Sequence, residues 1–252
     1  MKKRNLDEIE MPFLEHLEEL RWRAIRILIA VVVLTIGCFF VSDYILNFLL
    51  VSTKNLHFEI NLQVLKIQTV FVIKLEIALI FGIVLSLPYI FYQIWQFIAP
   101  GLLEKERKYV FPVIFFATFS FLSGAAFAYF IIVPIALDFF LSLAPQTVSN
   151  NIALDFYFGF VVRMVIVFGI VFELPVISLF LTKIGLLSPE FLKKYRRYAI
   201  VIIFILAAIL TPPDPTTQVM LAIPLVVLYE FTIWISYFFK KKKEAAAKED
   251  TV

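Results

Sequence analysis

The sequence predicts an all-α polytopic membrane protein with six transmembrane helices, the fifth and sixth of them short. Three observations carry this. Apolar residues fill 62% of 252 positions, 29 of them phenylalanine, and the mean hydropathy is +0.92, more apolar surface than a soluble domain can bury. The apolar positions gather into runs of spanning length. Lysine and arginine fall on alternate connections between those runs.

The opening segment, MKKRNLDEIEMPFLEHLEELRWR, is too long and too acidic for the charged region of a cleavable signal peptide, and no small-residue cleavage site follows the first run. The first span, residues 24–44, is therefore expected to remain in the mature chain. Its Cys38 is the single cysteine, so no disulfide framework or cysteine metal site is encoded. Further spans are expected over 70–90, 109–133, 156–181, 198–210 and 219–239, making one membrane domain over 1–239 with a polar tail over 240–252. In the loop between the first two spans, Leu56–Leu62 has a mixed pattern that fits either a short amphipathic helix on the outer interface or an ordinary cap. Pro88 and Pro134 are expected to end the second and third spans, whereas Pro112, Pro175 and Pro224 lie inside spans and favour kinks.

The fifth run, Tyr198–Leu210, is unusual. A hydrocarbon core about 30 Å thick needs roughly 20 helical residues, and thirteen residues reach only about 20 Å. TPPDPTTQ then turns the chain into the sixth run. The protein is expected to thin the bilayer at this pair.

Charge sets the topology. Lys2, Lys3, Arg4, Arg21, Arg23 and Arg26 lie at or before the start of the first span. Lys105, Arg107 and Lys108 occupy the second connection, Lys183, Lys193, Lys194, Arg196 and Arg197 the fourth, and Lys240 to Lys243 with Lys248 the tail. The remaining connections carry Lys54 and Lys66. By the positive-inside rule both termini are expected in the cytoplasm. The net charge of +3 thus marks topology and contact with membrane lipids rather than nucleic acid.

Ionisable residues within spans cost at least about 2.5 kcal/mol at mid-membrane unless they face water or a partner. Glu173 lies within the fourth span, and Pro175 beside it frees the carbonyl of Val171. It reads either as a functional carboxylate or as a neutral acid bonded to a neighbouring helix. Glu76 and Arg163 lie at similar depth and fit a structural ion pair, while Lys74 can snorkel to the interface. Glu230 lies at the interface if the sixth span is short, with WISYFF then forming an aromatic belt.

Before the first span, HLEELRWR puts Glu15, Glu18 and Glu19 on an amphipathic helix with Arg21 and Arg23, and the second connection reads QIWQFIAPGLLEKERK. Glu19 and Glu106 suit a cationic peptide, because guanidinium pairs bidentately with carboxylate. HLEELR, YQIWQFIAPGLLEKERK, AFAYF, FELP and LTPPDPTTQ, in that order across six spans, resemble the TatC family of the twin-arginine protein translocase over residues 11–239. The resemblance implies a concave, glove-shaped bundle in the cell inner membrane that receives the twin-arginine signal peptides of folded precursors, recruits single-span TatA and TatB subunits, assembles as a homo-oligomer within the complex and works on the proton-motive force. It implies a signal-peptide site of Glu19, Arg21, Phe97, Pro100, Glu106 and Arg107. Glu173 would face the concave side, and Thr211, Asp214 and Gln218 would lie where partner helices dock. Ala208, one turn before Thr211, and the longer acidic N-terminus depart from the pattern.

Other classes are less well supported. An ion-coupled small-solute secondary transporter would use Glu173 and Pro175 on a broken helix, but no internal repeat accompanies them. His16 and His57 lie outside the spans, and neither HExxH nor a GxxxxGK[ST] loop is present, so no enzyme, no ATP site, no metal and no cofactor is expected.

Overall fold

Each apolar run becomes a helix. The computed structural model describes residues 7–51, 60–98, 110–143, 145, 150–210 and 215–249, with side chains described between residues 15 and 240. Along the chain these form α1 (Asp7–Phe40), α2 (Ser42–Val51), β1 (Asn61–Gln63), α3 (Thr69–Ile98), α4 (Val110–Phe127), a π-helical turn (Ala128–Ile132), α5 (Val133–Ser142), β2 (Asn151–Ala153), α6 (Leu154–Ile184), α7 (Pro189–Lys194), α8 (Arg196–Leu210) and α9 (Pro215–Glu249). Among the described residues five stretches are long and apolar enough to cross a membrane: Glu15–Phe40, Thr69–Ile98, Val110–Ser142, Leu154–Ile184 and Pro215–Lys240. The fifth apolar run is the short α8, 15 residues, or about 22 Å.

Three boundaries depart from the sequence reading. Pro88 lies inside α3, which continues to Ile98. The third span passes Pro134 and ends at Ser142. Just before that proline, the π-helical turn sends the Val133 N–H to the carbonyl of Ala128, and the wider turn makes room for a ring that would otherwise press on the carbonyl four residues back. The sixth helix is not short: α9 runs unbroken for 35 residues, because the apolar stretch passes directly into a helix-prone lysine and alanine segment. The described part of the Leu56–Leu62 segment is extended rather than helical, its last residues lying in β1.

The chain divides into two compact units, Met1–Asp43 with Lys74–Phe115, and Tyr44–Ile73 with Phe116–Val252. In the first, α1 and α3 approach closely at Gly82. A Cβ there would lie 2.8 Å from both Cα and N of Thr35, so only glycine fits. Lys74 reaches Asp43 at 2.6 Å, an ion pair rather than free snorkelling. Leu28, Val33, Ile36 and Phe40 of α1 are exposed, the composition expected of a lipid-facing surface.

In the second unit α6 is the central helix. Tyr157, Phe158, Met164, Phe168, Val171 and Phe180 are buried around its circumference, as for a helix that is apolar all round. Helix α4 crosses it on two glycines. A Cβ on Gly124 would lie 2.6 Å from the Phe168 carbonyl, and one on Gly169 would lie 2.7 Å from the Phe121 ring. This proximity lets Ser120 Oγ donate to the Phe172 carbonyl at 2.6 Å, next to the Val171 carbonyl that Pro175 leaves without its helical donor. On another side α6 meets α9, where the Ser178 and Ser236 hydroxyls share a buried hydrogen bond of 2.6 Å. Arg163 stays with its own helix, its Nε donating to the Gly159 carbonyl at 2.8 Å.

Two tyrosines close the end of α2. Tyr129 donates to the carbonyl of Phe48 at 2.8 Å and Tyr157 to that of Leu49 at 2.9 Å, satisfying acceptors that a helix C-terminus leaves open. The strands β1 and β2 pair in parallel, Asn61 to Asn151 through Gln63 to Ala153. Gly185 ends α6 in the left-handed region at φ 86°, with the Leu186 N–H returning to the Leu181 carbonyl at 2.9 Å. Ser188 then caps α7 through the Phe191 N–H, with Pro189 in the first turn.

Candidate functional site

A polar network that brings two helices of the first unit together is centred on Glu19 and Arg23. Glu19 is on the amphipathic part of α1, and Arg23 sits one turn on, as helical spacing requires. Arg23 Nε donates to Glu19 Oε1 at 2.9 Å, and its Nη2 reaches the same oxygen. The guanidinium also bonds α3: Nη1 donates to Gln93 Oε1 at 3.1 Å, and Gln93 Nε2 donates to the Tyr89 hydroxyl at 2.7 Å. Gln93 is buried, so this network fixes where α1 lies on α3. The second oxygen of Glu19 is left toward His16, whose Nδ1 is 3.4 Å away. The His16 ring stacks on Phe97 with centroids 4.1 Å apart and an interplanar angle of 8°.

Glu19 and Phe97 therefore share one surface, joined by His16. The Glu19 side chain is 34% exposed and that of Arg23 only 14%. Arg21 is exposed, its guanidinium 5.8 Å from the centroid of its neighbour Trp22. Pro100, Glu106 and Arg107 lie outside the described residues. The sequence reading put Arg23 on the same amphipathic helix as Glu19 without giving it a role, and missed Gln93, Tyr89 and His16. Spacing from Glu19 was enough to flag His16 and Arg23, whereas nothing local marks Gln93, which matters only through the helix it faces.

In the second unit Glu173 is 7% exposed. It lies near the Phe121 main chain, yet neither carboxylate oxygen has a hydrogen-bond partner among the described residues. A buried polar group without partners is costly and calls for a reason. Gln218, in the first turn of α9, donates from Nε2 to the Phe204 carbonyl of α8 at 2.9 Å and so pins the two helices together. Thr211 and Asp214 fall outside the described residues. Arg196, the first residue of α8, bonds Glu230 of α9 at 2.7 Å, and Lys240 bonds Glu190 of α7 at 2.8 Å.

Residues 15–224 match the family model described as Sec-independent protein translocase protein (TatC). The chain belongs to the TatC family. The Sec-independent protein translocase protein TatC of Desulforapulum autotrophicum is 39% identical over 244 residues, covering 96% of this chain and 90% of the relative. The TatC protein of Carboxydothermus hydrogenoformans is 41% identical over 239 residues, covering 94% and 98%. A crystal structure described as the twin arginine translocase receptor TatC superposes with a TM-score of 0.81 at 37% identity, covering 89% of this chain and 99% of that one. With its membrane-length helices, this TatC-family chain is thus a multi-pass membrane subunit of a protein translocase and works with other subunits of that system.

Proposed function

We propose that this chain is the receptor subunit for twin-arginine signal peptides, with Glu19, Arg21, Phe97, Pro100, Glu106 and Arg107 forming the binding surface and no catalytic chemistry of its own. The observation that carries the reading is the Glu19 carboxylate. It is partly exposed, already accepts a guanidinium from Arg23, keeps its second oxygen free of any guanidinium and lies beside the aromatic face of His16 and Phe97. An arginine of the signal meets there both a carboxylate and an aromatic surface, the two groups a planar guanidinium favours over a lysine ammonium.

In this reading the six spans over 1–239 act as one membrane domain in the cytoplasmic membrane, with both termini in the cytoplasm, where the basic connections are retained. TatA and TatB type single-span subunits dock at Thr211, Asp214 and Gln218 beside the short α8. Glu173 supplies a polar point within the membrane. Several copies work together, and the proton-motive force drives transport.

Binding of a twin-arginine signal peptide to the purified protein tests the receptor role, compared with its Lys-Lys version and with Glu19→Ala and Glu106→Ala. Preference for Arg-Arg should fall by about tenfold or more in each variant, the worth of a hydrogen bond to a charged group. Equal binding of both peptides by all proteins refutes the assignment.

A further inference from the structure

The ion pairs of α7, α8 and α9 frame a cleft that the receptor role does not use. Its volume is about 360 Å³, and its walls include Glu190, Lys193, Arg196, Glu230, Trp234 and Tyr237. Two carboxylates and two cations face one space, with Lys240 also held at Glu190. The four lining charges balance and Lys240 adds a third cation at Glu190, so a ligand that meets every charged wall carries a negative group for the cations and a positive one for the carboxylates. Arg196 spends one Nη on Glu230 and its Nε is buried, leaving the other Nη donors of a group that has five, and Lys193 is exposed.

The lower wall continues along α9. Ile223, Val227, Phe231, Trp234 and Phe238 are all exposed, and their spacing of three and four places them on one face of the helix. Phe231 and Trp234 stack at 6.0 Å, and Trp234 and Phe238 at 6.4 Å. From Trp234 to Ile223 is about 16 Å of helix, close to the half-thickness of a hydrocarbon core about 30 Å across. Trp234 belongs to both the cleft and the stripe, at the depth where tryptophan and tyrosine favour the headgroup layer.

We infer that this cleft binds the zwitterionic headgroup of a phospholipid with a primary amine, a phosphatidylethanolamine, with an acyl chain along the Ile223–Phe238 face of α9. The phosphate takes Lys193 and the spare donors of Arg196. The ammonium, with three N–H donors, takes Glu190 and Glu230. A phosphatidylglycerol headgroup brings a phosphate but leaves the carboxylates opposed by nothing new. A phosphatidylcholine headgroup brings a cation without N–H donors. A bound lipid thus ties α7 to α9 at the end of the bundle where α8 begins.

The test is native mass spectrometry of the full-length protein in detergent with matched-chain phosphatidylethanolamine, phosphatidylglycerol and phosphatidylcholine. Phosphatidylethanolamine should be retained about fivefold better than either, the scale of one well-placed charge at a membrane surface. Glu190→Gln with Glu230→Gln should reverse the preference to phosphatidylglycerol, and Lys193→Gln should weaken all three. If the double variant fails to assemble, the exposed Glu190→Gln alone should still reduce the preference. Soluble glycerophosphoethanolamine at equal concentration should not displace the lipid; displacement would overturn the acyl-chain contact. Equal retention of the three lipids, preference of the unmodified protein for phosphatidylglycerol, or a preference unchanged in the carboxylate variants would overturn the site.

Discussion

Arg196 and Glu230 meet at 2.7 Å, which sets the first residue of α8 level with the sixteenth residue of α9. From this pair to Leu210 in α8, and from Pro215 to this pair in α9, each helix contributes only about 22 Å. The helix α9 is long, but its apolar crossing up to the pair is as short as that of α8. Beyond Glu230, the aromatic row Phe231, Trp234, Phe238 leads to Lys240, the order expected when a helix leaves the hydrocarbon through the headgroup layer. A hydrocarbon core about 30 Å thick would have to thin to match helices of this length, at a fraction of a kcal/mol per Å of mismatch.

If thinning serves transport, lengthening α8 should harm transport selectively. Insertion of four leucines after Ile205 should leave membrane insertion and signal-peptide binding intact while export of a folded precursor drops. Export at the unmodified rate would remove thinning from the mechanism.

Glu173 should cost stability. Its carboxylate is buried without a hydrogen bond among the described residues, and an unsatisfied buried group costs about 1–3 kcal/mol. Glu173→Leu should therefore raise the unfolding temperature in detergent while lowering export, the trade expected of a residue kept for function. A lower unfolding temperature would mean that the carboxylate has a stabilising partner.

Gly82 should tolerate no side chain. A Cβ there would collide with the Thr35 backbone, which has no flexible end to move aside, so Gly82→Leu should destabilise the contact of α1 with α3 by about 1–3 kcal/mol. Gly37 is the control. Nothing lies within 4 Å of a Cβ at that position, so Gly37→Ala should be neutral or stabilise by up to about 1 kcal/mol, the difference in helix propensity. Thermal unfolding of the two variants side by side decides the matter.

The Glu190–Lys240 pair should show in the pH dependence. Lys240 beside it holds the Glu190 carboxyl below the usual glutamate value of 4.5. A carboxyl lowered in the folded state contributes stability above its unfolded value, and that contribution disappears as pH falls through the folded one. The gap in unfolding temperature between the unmodified protein and Glu190→Gln should be open at neutral pH and close in acid below the glutamate range. A gap that widens in acid would contradict the pairing.

The membrane class, the six apolar runs and the short fifth one were all legible, because a bilayer imposes one length scale that a linear sequence can be measured against. Glu19 and Phe97 were legible as motif residues, but their meeting was not. It depends on His16 stacking across two helices and on Arg23 reaching Gln93, seventy residues away. Helix ends were misjudged where proline was read as a stop. At Pro134 the π-helical turn absorbs the ring, and that adjustment is a property of the surrounding backbone rather than of the residue.

Length, hydropathy and charge are sums over neighbours in the chain, so the sequence by itself determined the class, the number of helices and the residues that stand out chemically. Which of those residues touch was decided only by tertiary structure. The Arg196–Glu230 pair, the orphaned Glu173 and the glycine crossings of α4 with α6 exist because distant helices approach closely, and direct contact is short-ranged in space but not in sequence.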